Sequence, residues 1–227
     1  METPRHGEPR PAATVIAARD GGDGIEVLVL ERSPGSRFLP GYVVFPGGAV
    51  DAGDEELARR WFGDASEAAR ACAIRELAEE TGLTLTSHGL QPHADGAVDE
   101  APPAADALHQ ISHWIAPEEV PVRFDARFFA VSVANGAQPN AEPNMEPTVG
   151  PTAKPTVKPN MEPTADGAEA ERAWWADPRA LLSEYHAGTT SLYWPTFKMM
   201  EALAGCSSIQ EVLTLDVPQD DGDEEDE

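Results

Sequence analysis

Two apolar, β-branched runs, residues 13–18 (ATVIAA) and 25–32 (IEVLVLER), flank Gly21-Gly22-Asp23-Gly24, a set of turn formers that accept positive φ. This pattern predicts a β-hairpin. A short apolar strand is expected over residues 42–45, ending at Pro46-Gly47-Gly48. Residues 64–81 (DASEAARACAIRELAEET) are rich in Ala, Glu, Leu and Arg, which predicts a helix with Asp64 as N-cap and Gly82 as its stop. Positions 70, 74, 77 and 81 form one stripe of that helix and turn Ile74 and Leu77 to the core. Glu76, Glu79 and Glu80 share another flank at i, i+3 and i+4. Residues 84–103 read as loop, with a weak helix or turn over 104–115. Residues 123–134 read as a strand of the main sheet, and 170–175 as another. A helix is expected over 177–187, with Asp177 as N-cap and Pro178 at its first position, and a last one from near Pro195 to Leu203.

Two stretches fall outside this pattern. Residues 136–167 repeat PNMEPT, with proline every few positions and little that could build a core, so a disordered insertion is expected there. Residues 213–227 end in DVPQDDGDEEDE and read as an acidic, self-repelling, disordered tail. Residues 1–10 read as a flexible N-terminus. What remains, 11–135 and 168–212, is expected to form a single domain.

With 16 basic and 40 acidic residues the formal charge is −24, which disfavours nucleic acid and anionic membranes as partners. Small anionic ligands would need a local basic pocket or a metal. The two cysteines, Cys72 and Cys206, suggest no disulfide scaffold, and Cys72 sits in a context typical of a buried thiol. No apolar run approaches the length of a membrane span. A cytoplasmic protein is expected. The sequence leaves the oligomeric state open, a homodimer among the options.

The chemistry is concentrated in Arg75-Glu76-Leu77-Ala78-Glu79-Glu80-Thr81-Gly82-Leu83. Carboxylates crowded on one helical flank repel each other, and the arrangement makes sense when divalent cations lie between them. Hard oxygen donors favour Mg2+ or Mn2+ over zinc. Arg75 can orient the neighbouring carboxylates with its planar fork.

This segment resembles the second half of the Nudix box, Arg-Glu-U-x-Glu-Glu-x-Gly-U with U a bulky aliphatic residue. The first half, a glycine, five residues, a glutamate, then seven residues before the arginine, fits less directly. Glu67 has the right register to Arg75, whereas Asp54 has the right spacing from Gly48, and the intervening loop is lengthened. The register selects Glu67, although Asp64-Ala65-Ser66-Glu67 also reads as a capping box. Upstream, Arg32-Ser33, Arg37, Gly41 and Phe45-Pro46-Gly47-Gly48 resemble the signature of coenzyme A diphosphatases. Segments 114–117 and 123–129 are similar to the peroxisomal-type branch.

The resemblance implies an α/β fold, an α/β/α sandwich on a mixed β-sheet. It implies that Glu79, Glu80 and Glu76 ligate Mg2+ or Mn2+, with the Gly48 carbonyl as a further ligand. Glu76 would activate the attacking water or hold a second metal, supported by Arg75 and Glu67. Arg32, Ser33, Arg37 and Phe45 would bind substrate, and Glu169 or Glu171 would add a fourth acidic group. The implied reaction is hydrolysis of a nucleoside diphosphate linked to another moiety. Coenzyme A or acyl-coenzyme A is the first candidate, giving 3′,5′-ADP and a phosphopantetheine. ADP-ribose or a dinucleotide, or a non-catalytic nucleotide-binding module, are the alternatives. Tyr193, Trp194 and Lys198 are expected to pack in the core or on the surface rather than line a pocket.

Overall fold

The computed structural model describes residues 8–36, 38–93, 104–118, 122–133, 162–165, 167 and 169–219. In chain order the elements are β1 (Arg10–Asp20), β2 (Ile25–Arg32), β3 (Val43–Val44), β4 (Gly47–Ala49), α1 (Ala52–Phe62) and α2 (Ala68–Thr81). They continue with β5 (Leu83–Thr86), β6 (Gly89–Pro92), β7 (His109–Ile115), β8 (Phe124–Ser132) and β9 (Ala170–Ala176). Three helices close the fold, α3 (Pro178–His186), α4 (Trp194–Ala204) and α5 (Ile209–Leu213).

Side-chain alternation along β1 dictates the layers. Ala13, Val15 and Ala17 join one core and Ile16 and Ala18 the other, all fully buried. A strand apolar on both faces must be covered on both. Cys72, Ile74 and Leu77 of α2 cover the first face; Leu181 of α3, Met199, Met200 and Leu203 of α4 and Val212 of α5 cover the second. The result is the expected α/β architecture on a mixed sheet. β8 runs parallel to β1, while the β1–β2, β2–β9 and β7–β8 pairs are antiparallel. Among the described residues no helix is long and apolar enough to cross a membrane.

The feature that positions the site is a parting of strands. The β1–β2 hairpin pairs only near its turn, where Ala18 faces Val27. Beyond that point β4 takes the edge of β1, with Ala12, Ala13 and Thr14 opposite Ala49, Gly48 and Gly47. β3 takes the edge of β2 at Leu30 and Glu31. The connection between β3 and β4 therefore crosses the gap carrying Pro46-Gly47-Gly48.

Several expectations are corrected. The lengthened loop contains helix α1, started by a reciprocal capping box between Asp51 and Asp54 and stopped at Gly63 with φ 76°. Asp64 caps a short 3-10 turn over Ala65–Glu67, and α2 proper begins at Ala68. The stretch read as loop holds the β5–β6 hairpin. The expected helix or turn over 104–115 is largely strand β7. Its bulge between Gln110 and Ser112 buries Ile111 and Ser112 side by side and so breaks the two-residue period. Arg10 belongs to β1 rather than to a flexible end. The tail boundary also moves, because Val217 N–H donates to Ile111 O (2.8 Å) and the Gln219 amide brackets the backbone of Ile115. Most of the proline-rich insertion lies outside the described residues, but Thr164 N–H donates to Thr81 O at 2.8 Å.

Candidate active site

A side chain on either of the two glycines that bridge the strand gap would collide, at Gly47 with the β1 backbone and at Gly48 with the Glu76 side chain. A Cβ on Gly47 would stand 2.5 Å from Ala13 O, and one on Gly48 would stand 2.3 Å from Glu76 Oε1. The Glu76 side chain of α2 thus lies directly against the Gly48 backbone. The Gly47 N–H donates to Glu80 Oε2 at 2.9 Å, and the Cys72 thiol points to Gly48 O at 3.7 Å.

Arg75 organises the other carboxylates. Its Nε and Nη2 donate to Asp54 Oδ1 and Oδ2 at 2.8 and 2.9 Å, a bidentate pair. Its Nη1 donates to Glu76 Oε1 at 2.7 Å and Glu79 Oε2 at 3.0 Å. The Asp54 hydrogen bonds hold the guanidinium pKa well above its usual value, against the opposing effect of burial. Asp54 is fully buried, and its Oδ2 also accepts the Asp51 N–H. Glu67, which the register selected, instead pairs with Arg70 of α2. The structure therefore gives the place beside Arg75 to Asp54, the residue picked by glycine spacing. Helix α1, which carries Asp54 in its first turn, is a separate helix ahead of α2, and this uncouples the glycine spacing from the helical register.

Glu80 is the most deeply buried of the helix carboxylates. Burial pushes its pKa up to about 8, against the lowering effect of the Gly47 N–H. Arg32 lies 3.9 Å from Glu80 and 3.5 Å from Glu169. Burial also raises the pKa of Glu76, with Arg75 opposing. Glu79 is more than half exposed. The Cys72 thiol is held protonated by burial, its pKa well above the ordinary range.

These groups line one wall of a cavity of about 760 Å³. Phe38, Phe45, Trp114, Phe124, Tyr193 and Trp194 contribute to its other walls. Tyr193 and Trp194 thus line the pocket, against expectation, whereas Lys198 pairs with Glu201 and lies over the Trp194 ring. Arg32, Phe45 and Glu169 line it as well. Ser33 and Glu171 do not, and the Ser33 N–H is taken up by Glu169 O at 2.8 Å. Arg37 lies outside the described residues.

Residues 8–144 match the family described as NUDIX domain. This chain belongs to the Nudix hydrolase family. A crystal structure of a NUDIX hydrolase from Alicyclobacillus acidocaldarius is 30% identical and superimposes with a TM-score of 0.71, covering 92% of this chain and 98% of that one. A Caenorhabditis elegans protein provisionally named nudix hydrolase 7 is 37% identical over 86 residues, which is 38% of this chain and 26% of that protein's length.

By glycine spacing, Gly48 is followed after five residues by Asp54, which lies within the inserted helix α1, and then comes the run from Arg75 to Leu83. Glu76, Glu79 and Glu80 all reach the cavity. Among the described residues they do not form a ready-made cage of three donors, because Arg75 holds Glu76 and Glu79 while Gly47 holds Glu80. Their chemistry nonetheless fits a hard divalent cation: carboxylate oxygens in a row, a deeply buried Glu80 whose charge burial disfavours, and the Gly48 backbone alongside. Sequence reasoning missed the Gly47 N–H and placed Asp54 second. The signal for Asp54 was Asp51-x-x-Asp54 ahead of a helix-forming stretch ending at Gly63.

Proposed function

We propose that the protein hydrolyses a nucleoside diphosphate linked to another moiety, using Mg2+ or Mn2+ held by Glu76, Glu79 and Glu80, with the Gly48 carbonyl as a further ligand. The observation that carries this reading is the convergence of those carboxylates on one cavity beside the glycine bridge, around an arginine locked by Asp54. When bound, the cation neutralises diphosphate oxygens and eases ionisation of water.

The protein's own groups supply orientation. Arg75, fixed by Asp54, sets the rotamers of Glu76 and Glu79. Gly47 sets that of Glu80. Arg32, behind Glu80 and Glu169, adds positive charge on the substrate side. Glu76 accepts the proton of the attacking water in this reading. The water oxygen bonds to one phosphorus, the bridging P–O bond breaks, and the departing phosphate carries the electron pair and takes up a proton. Phe45 and the aromatic walls hold the organic part of the substrate.

Coenzyme A is the first substrate to test, with support from the spacing of Arg32, Ser33 and Phe45-Pro46-Gly47-Gly48. ADP-ribose and dinucleotides are the alternative. Incubation with Mg2+ or Mn2+ and a panel of these compounds, with and without chelator, should show metal-dependent release of 3′,5′-ADP from coenzyme A. Intact coenzyme A beside consumed ADP-ribose would transfer the assignment to the alternative. Substituting Glu79→Gln should abolish turnover, and an unaffected rate would refute the proposed role of the helix.

A further inference from the structure

Two consecutive residues, Phe38 and Leu39, both line the cavity that holds the helix carboxylates. Successive side chains of an extended chain point to opposite sides, so this needs a kink in the backbone. Leu39 supplies it with φ 50°, the only positive φ outside glycine among the described residues. A bulky side chain in the left-handed region is strained, and such strain persists only where the surroundings over-determine it.

Both peptide groups that flank Leu39 are pinned. The Phe38 carbonyl accepts from Arg32 Nε at 2.9 Å, and the Leu39 carbonyl accepts from the Tyr42 N–H at 3.2 Å. The Arg32 N–H donates to Tyr42 O at 2.9 Å, and Gly41, with φ 75°, donates its N–H to Arg32 O at 3.1 Å. Arg32 therefore holds the turn through backbone and side chain alike. The rest of its guanidinium faces the carboxylates, Nη1 at 3.9 Å from Glu80 and Nη2 at 3.5 Å from Glu169, and the side chain is only 14% exposed. A phosphate needs donors open to the ligand, whereas each nitrogen here already faces a protein oxygen. Phe38 in turn meets Phe124 and Tyr193 edge to face, at 5.8 and 6.1 Å. Arg32 thus links the Glu80 end of the site to the aromatic wall.

We infer that Arg32 is a positioning residue: it holds Leu39 in the left-handed conformation and so fixes the wall of Phe38 and Leu39 that meets the substrate, in place of the substrate contact its motif implies. Its charge stays on that side of the site, but no substrate atom bonds to it. The inference rests on the hydrolase reading above for its kinetic arm only. Lysine would keep the charge and lose the hold, since one ammonium cannot serve three oxygens as the planar fork does.

Arg32→Lys, Leu39→Gly and their double variant, checked for folding by thermal melts, provide the test. Hydrogen exchange in chelator, read by mass spectrometry, should be about 10-fold faster over residues 38–44 in Arg32→Lys than in the wild type, and unchanged over 68–81. With Mg2+ and whichever of coenzyme A and ADP-ribose is turned over, Arg32→Lys should raise KM about 10-fold, as loss of one charge-assisted hydrogen bond does, and change kcat by less than about threefold. Glycine adopts positive φ unaided, so in the Leu39→Gly background the same substitution should raise KM less than about threefold. Leu39→Val, a β-branched residue that resists positive φ with Arg32 intact, should speed exchange and raise KM in the same direction, and it decides alone if the lysine variant does not fold. Unchanged exchange in folded Arg32→Lys overturns the inference. So does a KM kept within about twofold, as for a charge contact that lysine can replace, or an equal effect in both backgrounds; each leaves the hydrolase reading standing. Absence of turnover with either compound counts against the hydrolase reading, and the exchange result alone then decides the inference.

Discussion

The first turn of α1 and the N-cap of α2 each present an acidic residue, and the two end in different environments. Asp54, in α1, is fully buried, closes a capping box with Asp51 and grips Arg75 with both oxygens. Glu67, the N-cap residue of α2, is about a quarter exposed, makes no side-chain cap and pairs with Arg70 in the first turn of α2. The difference teaches that position along a helix does not decide which carboxylate supports the site. What decides is which one can be enclosed where the glycine bridge, α1 and α2 meet.

The strongest test of this contrast is Asp54→Ala. Removing one partner of a buried ion pair leaves Arg75 uncompensated and should cost roughly 3–5 kcal/mol in urea unfolding. Turnover should fall with it, because Arg75 no longer fixes Glu76 and Glu79. A variant of wild-type stability and activity would return the supporting role to Glu67.

The glycines separate backbone from side-chain function. A methyl group on Gly47 meets the β1 backbone, which cannot retreat, so Gly47→Ala should destabilise by about 1–3 kcal/mol. The nearest atoms to a methyl group on Gly48 all belong to the Glu76 carboxylate, the end of a side chain that can turn aside. Gly48→Ala should therefore keep most of the stability and lose turnover on the order of 100-fold through misplacement of Glu76. Equal stability losses in the two variants would contradict this division.

Glu80 adds a pH dependence. Its folded pKa is raised to about 8 from 4.5, so in chelator the unfolded chain ionises first. Stability contributed by the protonated carboxyl is complete below pH 4.5 and is lost as pH rises through about 8. Thermal melts in chelator should decline by several degrees across that window, and saturating Mg2+ should flatten the decline. Glu80→Gln should show a shallower slope than the wild type, since other acidic residues contribute equally to both. Identical slopes would remove Glu80 as the cause.

Much of this was legible in the sequence. The β1–β2 hairpin, α2, α3 and α4 announced themselves by turn formers, helix formers and caps, and the α2 run from Arg75 to Leu83 announced its chemistry. β5 and β6 did not, since strands of four residues are too short to establish a period. β7 was obscured because its bulge puts two buried residues in succession. The cavity's far wall could not be read at all: Phe38, Ile115, Val122 and Trp194 are brought together only by the tertiary fold. The choice between Asp54 and Glu67 needed one further fact, that the lengthened loop is itself a helix.

Glu67→Gln completes the comparison as its smallest effect. The Glu67–Arg70 pair joins the N-cap of α2 to its first turn near the surface, and such partly solvated pairs contribute roughly 0–1 kcal/mol. Arg70 keeps other attachments, since its Nε donates to Leu108 O at 3.1 Å and its guanidinium lies over the Phe129 ring. Removing the Glu67 charge should therefore shift the unfolding midpoint by less than about 1 kcal/mol, and by less still in high salt. Turnover should change by less than about twofold, because Glu67 has no hydrogen bond to Arg75. A loss of turnover approaching that of Asp54→Ala, measured on protein of normal stability, would show that the N-cap of α2 reaches the chemistry after all.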